Sequence, residues 1–240
     1  MSGQIAAEEM PDHYDAPADL IRFEHRLVHL DKAIDRGSAK IVAIGSSSTQ
    51  GVGASSAERS YPARLAVELT TRYPGVPITV ENKGVGGQEA GDELARFQKD
   101  VIDEAPSLVI WQIGTNAVWK QYDLLQVAGD IRTGLKRLGD LPMDVVLMDL
   151  QYAPAVLQYP SEAERMVALI AEAAREARAN LLRRFALMGY WNVIERIPFD
   201  QTIEREPDGL QLHQNDWSYA GVATALARAI TEAAPRVGAT

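Results

Sequence analysis

The stretch Ile41–Ser55, IVAIGSSSTQGVGAS, decides how the rest of the chain is read. Four apolar residues run into Gly45, three serines and Thr49, then Gly51 and Gly53. A short apolar run that stops at a turn signal is the pattern of a strand buried on both faces of a parallel sheet. The pattern recurs at KIVAIG (40–45), PITVEN (77–82), SLVIWQIG (107–114), DVVLMDL (144–150) and FALMGYW (185–191). Helical patterns lie between these runs. Ser60 and Pro62 open one, with Leu65, Leu69 and Tyr73 along its face and Pro74-Gly75 at its end. Ser161 and Glu164 have capping-box spacing before a long Ala/Glu/Arg-rich segment. Asp216 stands where it can cap the last helix, in which Val222, Leu226 and Ile230 recur every four residues. Alternating strands and helices predict an α/β fold: an open parallel sheet of about five strands with helices on both faces. Leu20, Phe23, Leu27 and Leu30 fall three or four apart, which predicts an additional amphipathic helix within 17–36. Residues 1–16 are polar and read as a loose arm, leaving 17–240 as one domain.

The 240 residues are 46% hydrophobic, enough for one sizeable core. Asp and Glu outnumber Lys and Arg by 33 to 24, a net charge of -9 with no dense basic run. That balance argues against nucleic acid or an anionic membrane surface as partner. The absence of cysteine removes thiol catalysis, disulfides and thiolate metal sites. No apolar run has the length of a membrane span. The N-terminal MSGQIAAEEMPDHYDAP lacks a basic start and an apolar core, so it does not read as a signal peptide. The chain as written is expected in the cytoplasm, or in the periplasm or outside the cell if a signal has been removed.

In open α/β sheets ligands bind beyond the carboxyl ends of the strands. The hydroxyl-rich loop after Ile44 lies at such an end and admits three readings. A phosphate loop needs G-x-x-x-x-G-K-[ST], but the spacing from Gly45 to Gly51 is wrong and no lysine follows. A dinucleotide fingerprint needs a third glycine where Ser56 stands. A solvated polar turn is the second reading. The third is a mount for a nucleophilic serine, which then requires a base, an orienting acid and oxyanion donors.

Of the four histidines, His13 lies in the arm, and His25 and His29 stand four apart without an evident third metal ligand. His213 lies in EPDGLQLHQNDWSYAG, a turn-rich loop leading into the last helix and flanked by Asp208 and Asp216. NKGVGGQ (82–88) offers backbone N–H groups on a glycine-rich turn, and IGTN (113–116) ends a strand with the Asn116 amide. Each alone is an ordinary turn. Ser47, these two turns and His213 all fall at strand ends.

In these four blocks the sequence resembles the SGNH hydrolases, or GDSL-like esterases. GSSST corresponds to the block that usually reads Gly-Asp-Ser-x-Thr, making Ser47 the nucleophile and putting Ser46 where the Asp usually stands. NKGVGG matches Gly87 to the oxyanion glycine, and GTNA gives Asn116, with Ala117 at a second usual Asp position. The fourth block, usually Asp-x-x-His, supplies His213, but Leu210 stands three residues before it, and Asp208 five. The resemblance runs from Lys40 to the C-terminus. It implies a flavodoxin-like three-layer α/β/α sandwich and a serine esterase, with no metal or organic cofactor. Asp208 is the preferred triad acid. Asp216 is better explained as a helix cap; Glu206 is a more distant alternative, and a dyad in which a backbone carbonyl holds His213 is another. The oxyanion hole would comprise the N–H groups of Ser47 and Gly87 and the Asn116 side chain.

Trp119, Tyr152 and Trp217 follow strand ends or His213 and are candidate walls for a sugar ring, although such aromatics also serve plain packing. The expected substrate is a small ester with a short acyl group, with carbohydrate deacetylation foremost. Lysophospholipid or thioester cleavage and a non-catalytic anion-binding module are the rivals. Homo-oligomerisation is open.

Overall fold

Along the second strand of the central sheet, Ile41 and Ala43 face one cluster of buried residues and Val42 and Ile44 face another. The structure, a computed structural model, describes Tyr14 and residues 16–235. The proposed arm 1–16 therefore lies almost wholly outside the described residues. Five parallel strands form the sheet: β1 (Ala39–Gly45), β2 (Ile78–Gly84), β3 (Leu108–Gln112), β4 (Asp144–Met148) and β5 (Asn180–Leu182). Their order is β2-β1-β3-β4-β5. Leu108 and Ile110 side with Ile41, while Val109 and Trp111 side with Val42, as the two-residue period of a pleated strand requires.

Helices cover both faces. Those on the first are α1 (Ala18–Ile21), α2 (Val28–Asp35) and, after the short α3 (Ser47–Gln50), α4 (Tyr61–Arg72). The second face carries α5 (Ala90–Ala95), α6 (Thr115–Trp119), α7 (Leu124–Gly139) and α8 (Pro160–Ala177). The chain then returns to the first face through α9 (Arg184–Gly189), α10 (Phe199–Thr202) and α11 (Asp216–Ala233). This is the three-layer α/β/α sandwich, and its strand order is the flavodoxin-like one. The strand connections reverse direction between β1 and β3, so a cleft opens where these two neighbours end. That is the crevice in which this architecture binds ligands.

Several local expectations change. The expected 17–36 helix is broken into α1 and α2, and residues 22–27 between them are not helical. Ile21, Phe23 and Leu27 are buried while Arg22, Glu24 and Arg26 are exposed, the alternation of extended chain. Asn180 fixes this stretch by accepting from the His25 N–H and donating to its carbonyl, both at 2.9 Å. Asp144 then takes the His29 and Leu30 N–H groups at the start of α2. His25 and His29 thus lie on different kinds of backbone.

FALMGYW is helical, not the fifth strand, which is Asn180–Leu182 just before it. Leu187, Met188 and Trp191 are its buried positions and, with buried Arg184 just before the run, make a helical i, i+3, i+4, i+7 set. Pro160 opens α8, so Ser161 is already inside the helix and the expected capping box does not form. Asn215, not Asp216, caps α11 by accepting from Ser218 N. Asp216 instead accepts from the Ser55 amide at 2.9 Å and the Ser55 hydroxyl at 2.6 Å.

Candidate active site

The turn that carries Ser47 is built around the end of the neighbouring strand. Gln112, the last residue of β3, accepts through Oε1 from the Ser46 N–H at 3.0 Å, the Ser46 hydroxyl at 3.2 Å and the Thr49 hydroxyl at 3.1 Å. Gly45 permits this approach, since a Cβ there would lie 2.9 Å from Gln112 Cβ. Ser47 is the first residue of α3, so its own N–H has no carbonyl one turn back to bond. Gly51, at φ 100°, ends α3 and returns its N–H to the Ser47 carbonyl. Gly53, at φ 89°, lets the chain pass His213, whose Cβ would lie 3.0 Å from an added Cβ.

His213 stands on one arm of a narrow hairpin. Ile203 pairs antiparallel with Gln214, and the Glu204 N–H reaches the His213 carbonyl at 2.8 Å. The hairpin closes at Glu206, whose N–H bonds the Leu210 carbonyl, with Gly209 at φ 84° in the turn. His213 Nε2 lies 2.9 Å from Ser47 Oγ. Nδ1 lies 2.6 Å from Glu206 Oε1. The carboxylate at His213 is therefore Glu206 and not the expected Asp208. Asp208 occupies the hairpin tip, where its Oδ1 accepts from Leu210 N at 3.0 Å. The turn at Pro207 and Asp208 carries Asp208 away from the imidazole and brings Glu206 across the hairpin.

The glycine-rich loop and the Asn116 turn close the other side of the cleft. Gly86 donates to Gln50 Oε1 at 2.8 Å, and a Cβ on it would lie 3.9 Å from Ser47 Cβ. Gly87 follows at φ 81°, a left-handed conformation that glycine adopts without strain, and its carbonyl accepts from Lys120 Nζ at 2.8 Å. Buried Asn116 donates through Nδ2 to the Gln88 carbonyl at 2.7 Å, keeping its amide beside that loop. Beneath it, Glu89 accepts from the Gly114 and Ala117 N–H groups, both at 2.8 Å. Burial raises the pKa of Glu89, and with greater force that of Glu93, which accepts from the Trp111 indole at 2.6 Å. Glu89 thus bonds the N–H of Ala117, the residue that stands where the SGNH pattern usually has an Asp.

The three candidate aromatic walls separate. Tyr152 packs on Phe185 and Phe199, with ring centroids 5.1 and 5.8 Å away, and Trp119 is half-buried against the α7/α8 side of the core. Trp217 packs on Trp191 and Tyr14 and also lines a cleft of 560 Å³ with Gly53, Glu204, Asn215 and Asp216. Neither Ser47 nor His213 lines that cleft, although Gly53 and Asn215, which do, lie beside His213.

The model of the non-GDSL lipase-like family matches residues 14–236. The chain belongs to this family. The expected likeness to SGNH, GDSL-like hydrolases therefore holds at the level of family and fold. An acetylxylan esterase of Geobacillus stearothermophilus is 38% identical over 94 residues, 39% of this chain and 40% of that protein. An uncharacterized lipoprotein, YqeF, of Bacillus subtilis (strain 168) is 35% identical over 82 residues, 34% of this chain and 33% of that one. The matched stretches thus span less than half of either relative. Among solved structures, a two-domain esterase active on acetylated mannans superposes with a TM-score of 0.72 at 21% identity, covering 89% of this chain and 56% of that one. The Geobacillus stearothermophilus acetylxylan esterase superposes at 0.62 and 23% identity, covering 80% and 94%. At these identities the superpositions speak for the shared fold.

Gln112 and Glu89 support the site but carry no motif of their own. Their roles depend on which strand ends become neighbours, which only the sheet order supplies.

Proposed function

We propose that this chain is a serine esterase that removes short acyl groups, acetyl foremost, from a carbohydrate. The observation that carries the proposal is the relay from Ser47 Oγ to His213 Nε2 at 2.9 Å and from Nδ1 to Glu206 Oε1 at 2.6 Å. A hydroxyl is a weak nucleophile until a base accepts its proton as it attacks, and the base needs its far nitrogen held by a carboxylate to present the right tautomer. Ser47, His213 and Glu206 take these roles. The acetylxylan esterase relative and the acetylated-mannan esterase of similar fold support the choice of substrate class.

Ser47 Oγ attacks the ester carbonyl carbon while His213 Nε2 takes its proton. The carbonyl oxygen becomes an oxyanion, received by the Ser47 and Gly87 N–H groups and the Asn116 amide. The C–O bond to the sugar breaks as His213 returns the proton to the leaving alcohol oxygen, which leaves an acyl-serine. Water then gives its proton to His213, attacks the acyl carbon and releases the acid and the Ser47 hydroxyl. The Glu206 carboxylate offsets the imidazolium formed twice per cycle. One oxyanion donor contributes about 3 kcal/mol to the transition state. Trp217, on the cleft it lines with Gly53 and Asn215, is the proposed sugar contact; the packing of Tyr152 and Trp119 against the core gives them weaker claims.

The test is to assay wild type, Ser47→Ala and His213→Ala on an aryl acetate and on an acetylated xylo- or manno-oligosaccharide. Labelling by a fluorophosphonate probe is followed by mass spectrometry. Loss of turnover in both variants, with the label on Ser47, is expected. Undiminished turnover in either variant overturns the proposal.

A further inference from the structure

Arg184, the first residue of α9, has no exposed surface, yet the catalytic relay does not include it. A guanidinium carries five N–H donors in a rigid planar fork, and burying it is tolerated only where those donors find acceptors. Here Nη1 donates to Ser48 Oγ at 2.9 Å and to Gln214 Oε1 at 3.4 Å, Nη2 to Thr115 Oγ1 at 3.3 Å, and Nε to the Asp149 carbonyl at 3.0 Å. The three side-chain acceptors share one property. Ser48 follows Ser47, Thr115 precedes Asn116, and Gln214 follows His213.

Those neighbours come from the nucleophile turn after β1, the turn after β3, and the hairpin before α11. They are far apart in sequence and have no continuous backbone to hold them in register. From this arrangement we infer that Arg184 is a positioning residue, a buried cationic clamp that fixes the mutual geometry of Ser47, Asn116 and His213 from behind the cleft. The inference rests on the proposal that these three residues form the active site.

Other features support the clamp. Burial lowers the Arg184 pKa to about 10, which leaves it charged at neutral pH. Hydrogen bonds to a charged donor are stronger than neutral ones, so each loop is held more firmly than by an amide or hydroxyl in the same place. Two of the three side-chain acceptors are also anchored a second time. Thr115 Oγ1 accepts from Gln151 N at 3.3 Å, and Gln214 donates to Ser218 Oγ at 3.3 Å. The Asp149 carboxylate accepts from Phe185 N at 2.9 Å, which fixes the start of α9 and with it the clamp. A lysine at 184 would keep the charge but lose the fork that reaches three loops at once.

The experiment measures kcat and KM of Arg184→Lys, Arg184→Met and Arg184→Ala on an aryl acetate, with rates divided by active sites counted in a stoichiometric burst. Counting sites separates a badly aligned active site from a smaller folded fraction. A misplacement of reacting groups by about 1 Å costs roughly 100-fold, so kcat per counted site should fall about 100-fold in Arg184→Lys with KM within about threefold. Added guanidinium should restore part of the rate in Arg184→Ala and none in Ser47→Ala. Ser48→Ala and Thr115→Val leave Arg184 in place and remove one anchor each. They decide the matter if the Arg184 variants do not fold, and each should lower kcat per counted site by about tenfold. Wild-type kcat per counted site in any folded Arg184 variant overturns the clamp, as do wild-type values in both anchor variants. An active Ser47→Ala enzyme is the separate result that overturns the esterase proposal itself.

Discussion

Glu206 Oε1 lies 2.6 Å from His213 Nδ1, although the two stand seven positions apart and Asp208 lies between them in sequence. The hairpin makes this possible, because paired arms face each other while the tip projects away. Glu206→Gln should therefore lower kcat on an aryl acetate by about 100- to 10,000-fold, since the amide favours the wrong imidazole tautomer and cannot offset the imidazolium. Asp208→Asn keeps an oxygen that can accept from Leu210 N and should leave kcat within about twofold. Steady-state kinetics on the two variants check the assignment, and the reverse pattern would restore Asp208 as the acid.

Asn116 makes a distinct prediction because its amide works at the oxyanion and not at the proton. Asn116→Ala should lower kcat by about 100- to 1,000-fold, the loss of one preorganised donor. KM should change little, since the interaction strengthens only as charge develops on the oxygen. The variant should still label with a fluorophosphonate, more slowly, because Ser47 and His213 remain in place. A large rise in KM with unchanged kcat would instead make Asn116 a substrate-binding residue.

Much of this arrangement was legible in the sequence, for physical reasons that also mark where legibility ends. Strands β1, β3 and β4 announce themselves as apolar runs because both faces of the sheet are buried there, whereas the edge strand β2 buries only Ile78; Ser47, Gly87, Asn116 and His213 sit just past strand ends or in the last long loop. FALMGYW misleads because its less buried positions, Phe185, Ala186, Gly189 and Tyr190, carry no charged side chain, and a continuously apolar run has no visible period. The 17–36 segment misleads in the opposite way. Its Leu spacing fits a helix, yet IRFEHRL alternates apolar and charged residues, and the Asn180 side chain tips the balance by taking both the N–H and the carbonyl of His25 away from helical bonding. Pro207-Asp208-Gly209 is a strong turn signature, and reading it as one would have placed Asp208 at a tip and turned attention to Glu206. Arg184 left no such trace, because its meaning depends on three loops that only the folded sheet assembles.

Gly51 and Gly53, which in sequence suggested a phosphate loop, hold left-handed turns in the nucleophile loop. Gly53→Ala tests the second of these. Any Cβ at such a φ costs about 1–2 kcal/mol. At Gly53 it would also press on the Gln214 carbonyl and on His213 Cβ, 3.0 Å away. Gly75, at φ 81° with nothing within 4 Å of an added Cβ, is the control. Both alanine variants should melt earlier than wild type. Gly53→Ala should also lose about tenfold or more in kcat through displacement of His213, whereas Gly75→Ala should keep its rate. Equal kcat in the two would show that His213 tolerates the shift.

Asp149 ties the pH dependence of stability to the floor of the site. Burial pushes its pKa to about 7 from an ordinary 3.8, outweighing the N–H of Phe185 and the attraction of Arg184. Its Oδ2 has no hydrogen-bond partner among the described residues. Above pH 3.8 the unfolded chain has lost this proton while the folded protein retains it up to about pH 7. Folded protein therefore binds more protons across that interval, and the stability contributed by neutral Asp149 fades as pH rises through the folded pKa. Asp149→Asn stays neutral throughout and keeps an oxygen for Phe185 N. Its melting temperature relative to wild type should rise between about pH 5 and pH 8, measured at constant ionic strength. A gap that stays flat or narrows over that interval would mean that Asp149 is already ionised at pH 5, with its charge matched by Arg184.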